Sequence, residues 1–171
     1  MKDTKMVILN GLPTSGKDTF VELCQKHTPY IICHISTITP IKGIAQILGW
    51  NGEKNFKYRK FLSDLKDLCT ETFDTSFNYI KTEYEIAKEE NIDFLFVDCR
   101  EPKEIERLKQ YFNAVTVCID ARERLNELKT SNHADTNVYN YHYDYYIENN
   151  STIEDLTKSA ELFVNILKGE I

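Results

Sequence analysis

The chain has 171 residues, enough for one domain with a proper core. Its formal charge of −6, from 21 Lys and Arg against 27 Asp and Glu, argues against the positive field that broad nucleic-acid binding requires. No apolar run has the length of a membrane span, and Met1-Lys2-Asp3-Thr4-Lys5 leads straight into an apolar run, so neither a span nor a signal peptide is expected. Five scattered cysteines (Cys24, Cys33, Cys69, Cys99, Cys118) form no C-x-x-C pair. Zinc and disulfides are therefore not expected, and the cytoplasm is the expected setting.

Val7-Ile8-Leu9-Asn10 reads as a first strand ending at Gly11. Gly11 to Lys17 then spells G-x-x-x-x-G-K, and Phe20-Val21-Glu22-Leu23-Cys24 continues as helix. In this strand–loop–helix context the pattern is a phosphate-binding P-loop. Gly11 and Gly16 permit backbone angles that a side chain forbids, so backbone N–H groups can turn inward as an anion nest, and Gly11, Ser15, Gly16, Lys17 and Thr19 are expected to hold ATP. The helix dipole favours the same charge, and Lys17 adds a mobile cation for the β- and γ-phosphates. ATP is the expected ligand. After Gly-Lys the usual hydroxyl residue is replaced by Asp18, with Thr19 next. A carboxylate beside polyphosphate repels it unless a cation lies between, so Asp18 is read as facing Mg²⁺. The competing reading makes it a first-turn acid favoured by the dipole.

Tyr30 to Ile35 reads as strand two, and Ser36 to Leu48 as a turn and short helix stopped by Gly49. From about Phe56 the spacing of Phe61, Leu62, Leu65, Leu68 and Cys69 gives a helix, and Phe77, Ile80, Tyr84 and Ala87 give another. Consecutive helices here exceed a simple crossover, so residues 37–91 are expected to form a helical substrate lobe. Phe94 to Asp98 is a buried strand, followed by a helix marked by Ile105, Leu108 and Phe112. Val115 to Ile119 is strand four; residues 122–138 look lid-like; Tyr143 to Ile147 is the last strand. Ser151-Thr152-Ile153-Glu154 is a capping box for a final helix ending at Gly169. The β–α alternation predicts one domain over 1–171: an α/β fold of three layers, α/β/α, around a five-stranded parallel sheet.

Ligands collect beyond the carboxyl ends of such strands. Asp98 ends strand three and is read as a second Mg²⁺ acid, the alternative being a cap for the helix starting near Glu101. Arg100 reaches the same edge, where its planar fork suits a phosphate. Arg122 and Arg124 follow strand four and would steady charge on the transferring group. The histidines offer no metal set: His27, His34 and His142 read as packing residues, and His133 falls in the lid-like tract.

Gly16-Lys17-Asp18-Thr19 resembles the P-loop variant of phage-type deoxynucleoside monophosphate kinases; animal phosphomevalonate kinases have a related Gly-Lys-Asp loop. Asp98-x-Arg100-x-x-x-Glu104 resembles the corresponding strand end in the phage-type enzymes, and Pro40-Ile41-Lys42 resembles the end of their Ala-Asp-Pro-Leu-Lys segment. Arg59 to Glu71 is similar to their monophosphate-site helix, and Asp144 to Asn149 to their Asp-x-x-Ile-x-Asn closing strand. The chain is short for that family, and the Gln-x-x-Gly-Thr element is not reproduced around Asp64 to Thr70. The resemblance implies a P-loop kinase fold and transfer of the ATP γ-phosphoryl to a deoxynucleoside monophosphate, with Lys42, Arg59 and Arg100 holding that acceptor. A kinase of another small metabolite phosphate, an NTPase using water, and a non-catalytic ATP-binding module are the alternatives. Neither nucleic acid nor membrane is an expected partner, and oligomeric state is not legible.

Overall fold

The computed structural model describes residues 3–125 and 137–169. Most of the lid-like segment, His133 included, lies outside the described residues. β1 (Lys5–Asn10), β2 (Ile32–Ser36), β3 (Phe94–Asp98), β4 (Val115–Asp120) and β5 (Tyr145–Glu148) form one sheet in the order β2-β3-β1-β4-β5, every pairing parallel. The central strands are buried on both faces, which is why they read as near-continuous apolar runs.

One face packs Val7, Leu9, Phe94, Phe96, Val117 and Ile119 against α1 (Lys17–His27) and α6 (Ile153–Lys168). Phe163 of α6 holds this layer together, its ring 5.7 Å from Phe20 and 5.4 Å from Tyr145. The other face packs Met6, Ile8, Leu95, Val97 and Cys118 against α4 (Thr75–Glu89) and α5 (Pro102–Phe112). The shorter α2 (Thr39–Ile47) and the long α3 (Phe56–Phe73) complete the helical stretch between β2 and β3. The expected three-layer α/β/α architecture and the five-stranded parallel sheet are both observed.

Several local boundaries differ from those expected. β5 starts two residues later, at Tyr145, because Asp144 turns its carboxylate to the amide and hydroxyl of Thr116, each 2.9 Å away. Tyr143 is buried before the strand begins. The cap of α6 is Thr152, not Ser151: its hydroxyl accepts from the Asp155 amide at 3.2 Å and donates to the Asp155 carboxylate. The expected helix stops hold, since Gly49 and Gly169 both take positive φ, 98° and 74°. The described cysteines are all free thiols. Among the described residues no helix is long and apolar enough to cross a membrane.

Candidate active site

The chain leaves β3 on one side of β1 and enters β4 on the other, so the sheet changes direction at its central strand. A crevice opens there at the carboxyl ends of the strands. The loop from Gly11 to Gly16 fills it. Asn10, fully buried at the end of β1, accepts from the Gly11 amide at 2.8 Å and donates to Tyr143 Oη at 2.7 Å. Its amide also reaches the Arg100 carbonyl at 3.3 Å, which ties the loop's start to the end of β3. The sequence reading passed over Asn10, because a polar residue closing an apolar strand carries no distinctive spacing.

Both motif glycines are sterically required. A Cβ on Gly11 would stand 2.5 Å from Ser15 Oγ and 2.7 Å from the Ile119 carbonyl. Gly16 has φ 96°, and a Cβ there would run into the Asn149 side-chain amide. Gly16 caps α1 without any side-chain hydrogen bond, so the first amides of the helix stay turned toward the loop. Ser15 is buried, and its hydroxyl has no hydrogen-bond partner among the described residues. Lys17 Nζ donates to the carbonyls of Gly11 (2.9 Å) and Leu12 (3.2 Å), so the ammonium bridges the loop mouth. The resulting hollow, about 220 Å³, is lined by Thr14, Gly16, Lys17, Asp18 and Thr19.

Asp18, in the first turn of α1, stands between this hollow and Asp98 at the end of β3, their ligand atoms within 4.8 Å. α5 begins at Pro102 with Glu101 as its cap and no side-chain capping bond, so Asp98 does not serve as that cap. Its carboxylate faces His34 instead, with Nε2 3.3 Å from Oδ1. Those two atoms are buried and lack the alignment of a hydrogen bond, so their attraction is electrostatic. One ligand atom each from Asp18, His34 and Asp98 lies within 4.8 Å of the others. Burial opposes charge on the His34 ring, yet the Asp98 and Asp18 carboxylates outweigh it and raise its pKa above 6.5.

The sequence reading missed His34. On β2 it stands opposite Phe96, and Asp98 lies two residues further along β3, on the same side as Phe96. Phe96 packs on the α1 layer, so His34 and Asp98 are turned to the face on which α1 begins. Only knowledge of strand pairing and register brings these three residues together.

The two arginines after β4 part company. Arg122 is held by the Asp120 carboxylate, to which Nε donates at 3.0 and 2.9 Å and Nη2 at 2.5 Å, and its guanidinium lies 4.5 Å from the Tyr139 ring centre. Asp120 is buried, which pushes its pKa up, but the bonds from Arg122 outweigh this and leave it below 3.8. Arg124 turns to the glycine loop. Its Nη2 donates to the carbonyls of Thr14 (3.1 Å) and Ser15 (3.3 Å), and its Nε to the Asn149 carbonyl at 3.1 Å.

The residues assigned to the acceptor are more dispersed. Arg100 is half-buried just past Asp98; Lys42 is exposed on α2; Arg59 is exposed in the first turn of α3, its Nε donating to the Lys54 carbonyl at 2.9 Å. An open cleft of about 970 Å³ lies between α3, the start of α4 and the start of α5, lined by Lys66, Thr70, Asp74, Glu101, Glu104 and Arg107 among others. Lys42, Arg59 and Arg100 are not among its lining residues. Inside it Lys66 Nζ donates to Glu104 at 2.6 Å, both side chains largely buried, and Arg107 pairs with Asp74 at 2.7 and 2.5 Å. The sequence reading did not single out Lys66 or Arg107.

No protein-family model and no curated protein matches the chain. Solved structures do. The protein TT1252 of Thermus thermophilus superposes with a TM-score of 0.57 at 13% identity, covering 97% of this chain and 99% of that one. A sugar kinase from a Janibacter species gives 0.53 at 11% identity, covering 96% of each chain. Shikimate kinase from Aquifex aeolicus gives 0.50 at 16% identity, covering 97% and 98%. At these identities the likeness is one of fold: the chain has the three-layer fold of the P-loop kinases.

Proposed function

We propose that the protein is a P-loop phosphotransferase that moves the γ-phosphoryl of ATP to a small phosphorylated acceptor, a deoxynucleoside monophosphate being the first choice. The observation that carries this is the loop itself: left-handed Gly16, inward first-turn amides and the Lys17 ammonium meet at the switch point, beside the carboxylates of Asp18 and Asp98. Gly11, Ser15, Gly16, Lys17 and Thr19 hold the ATP phosphates. Asp18 and Asp98 offer hard oxygen donors within 4.8 Å of one another that fit Mg²⁺. A bound Mg²⁺ would supply neutralisation of phosphate charge.

Arg124, already lying on the loop, steadies the charge that develops on the transferring group; Arg122 is braced on Asp120 beside it. Arg100 reads the acceptor phosphate from the end of β3, with Lys42 and Arg59 contributing from the helical segment 37–91. Phosphoryl transfer needs little covalent chemistry from the protein, so positioning and charge neutralisation suffice without a dedicated base. The shikimate and sugar kinases among the structural neighbours favour a small metabolite as acceptor, which keeps non-nucleotide phosphates as the second reading.

The test is a panel of deoxynucleoside and ribonucleoside monophosphates and phosphorylated metabolites, each with ATP and Mg²⁺. Nucleoside diphosphate formed in step with ADP supports the first reading, and another phosphorylated product supports the second. Inorganic phosphate alone indicates an NTPase. Nucleotide binding with no turnover on any acceptor indicates a binding module.

A further inference from the structure

A magnesium site built from P-loop and strand-end oxygens has no use for an imidazole. Mg²⁺ takes oxygen ligands and keeps several waters, whereas imidazole suits divalent transition ions. Yet His34 turns Nε2 to within 3.3 Å of Asp98 Oδ1 and joins it and Asp18 in one cluster whose ligand atoms lie within 4.8 Å of one another. A ligand set of that spread closes around an ion with metal–ligand bonds of about 2.0–2.2 Å after small side-chain rotations. A second feature concerns the geometry of the same pair, which lies 3.3 Å apart. Nε2 of His34 and Oδ1 of Asp98 are both buried without a hydrogen-bond partner among the described residues. Buried polar atoms ordinarily make aligned hydrogen bonds; this pair attracts without one, which leaves both atoms able to turn to a shared cation.

We propose that Asp18, His34 and Asp98 form a nitrogen-containing site for a divalent first-row transition ion at the phosphate end of the crevice, with His34 Nε2 as a direct ligand. Neutral imidazole and two carboxylates balance the ion's charge, and the adjacent P-loop leaves its remaining positions to water or to phosphate oxygens. The inference rests on the reading of Asp18 and Asp98 as the cation end of the nucleotide site. It adds that the site binds such ions without nucleotide and prefers them to Mg²⁺.

The experiment is metal binding to the whole protein without nucleotide, using Mn²⁺ and Mg²⁺ as probes, with ATP binding in EDTA measured separately. Mn²⁺ should bind at least about tenfold more tightly than Mg²⁺, given that even residues supporting a metal ligand commonly change affinity 10–100-fold. Pulsed EPR of the Mn²⁺ form should carry the ¹⁴N coupling of a directly bound imidazole. His34→Gln should abolish that coupling and weaken Mn²⁺ about tenfold while leaving Mg²⁺ within about twofold. The wild-type EPR needs no variant, so a misfolded substitution does not block the test. Absence of nitrogen coupling, or equal affinity for the two ions, overturns the proposal; if ATP still binds in EDTA, the nucleotide reading stands without it. Loss of both metal and ATP binding overturns the two together.

Discussion

The side-chain amide of Asn149 donates to the Ser15 carbonyl at 2.8 Å, and the same amide occupies the space a Cβ on Gly16 would need. The residue just past β5 thus clamps the glycine loop across a separation of 134 residues. Asn149→Ala should weaken ATP binding about fivefold, the equivalent of one net hydrogen bond of about 1 kcal/mol. Gly16→Ala should be worse, adding the clash to left-handed strain of about 1–2 kcal/mol. The double variant should recover part of that loss, since the clash goes and the strain stays. ATP titrations of the three proteins check this; simple additivity would mean that Asn149 and Gly16 are not coupled.

Arg122 and Arg124 should separate into a structural and a functional residue. Arg122→Ala strips the buried Asp120 of its charged partner and should cost about 1.5 kcal/mol of stability. Arg124→Ala removes an exposed side chain, so stability should move by less than about 0.5 kcal/mol, while turnover should fall at least about tenfold. Denaturant melts and steady-state rates on both variants distinguish the two roles.

Lys66 and Glu104 are paired at 2.6 Å with only 15% and 14% of their side chains exposed. Burial opposes charge on Lys66, but Glu104 outweighs it and raises the lysine pKa. Lys66→Met would leave the carboxylate with the Cys99 thiol at 3.3 Å and should cost about 3 kcal/mol. Adding Glu104→Leu should restore most of that, because an apolar pair carries no unpaired charge. Urea unfolding of the single and double variants gives the answer.

The local features of the fold were legible in the sequence. β1, the glycine loop and α1 are contiguous, so the strand–loop–helix order and the two glycines that shape the loop are written in local spacing. β3 was bounded correctly because a doubly buried strand is a short apolar run closed by Asp98. What escaped depended on partners distant in the chain. His34 becomes a candidate ligand only through its register with β3, and Lys66 meets Glu104 across 38 residues. Arg122 and Arg124 look alike until Asp120 and Asn149 divide them. The start of β5 was misread because Asp144, a residue of the expected strand, is spent on Thr116 of the neighbouring strand.

Asp144 also predicts a pH dependence. Partial burial pushes its pKa up, but bonds from Lys109 and from the Thr116 amide and hydroxyl outweigh this and hold it below 3.8. A depressed carboxylate contributes stability that is present above its unfolded pKa and lost as pH falls through the folded value. The melting temperature of the wild type should therefore exceed that of Asp144→Asn at pH 6, and the gap should close below about pH 4. A gap that persists unchanged into acid would locate the contribution elsewhere.

The most direct measurement follows the γ-phosphoryl label of ATP in the wild type and in Lys17→Ala, once the acceptor panel has supplied a substrate. Lys17 Nζ bonds the carbonyls of Gly11 and Leu12 at the loop mouth, outside the apolar layers of the sheet, so its loss should leave the melting temperature nearly unchanged. In the wild type the label should appear on the acceptor in step with ADP, and in the variant that transfer should fall to background. Label released only as inorganic phosphate, or transfer that survives in Lys17→Ala, would contradict the account.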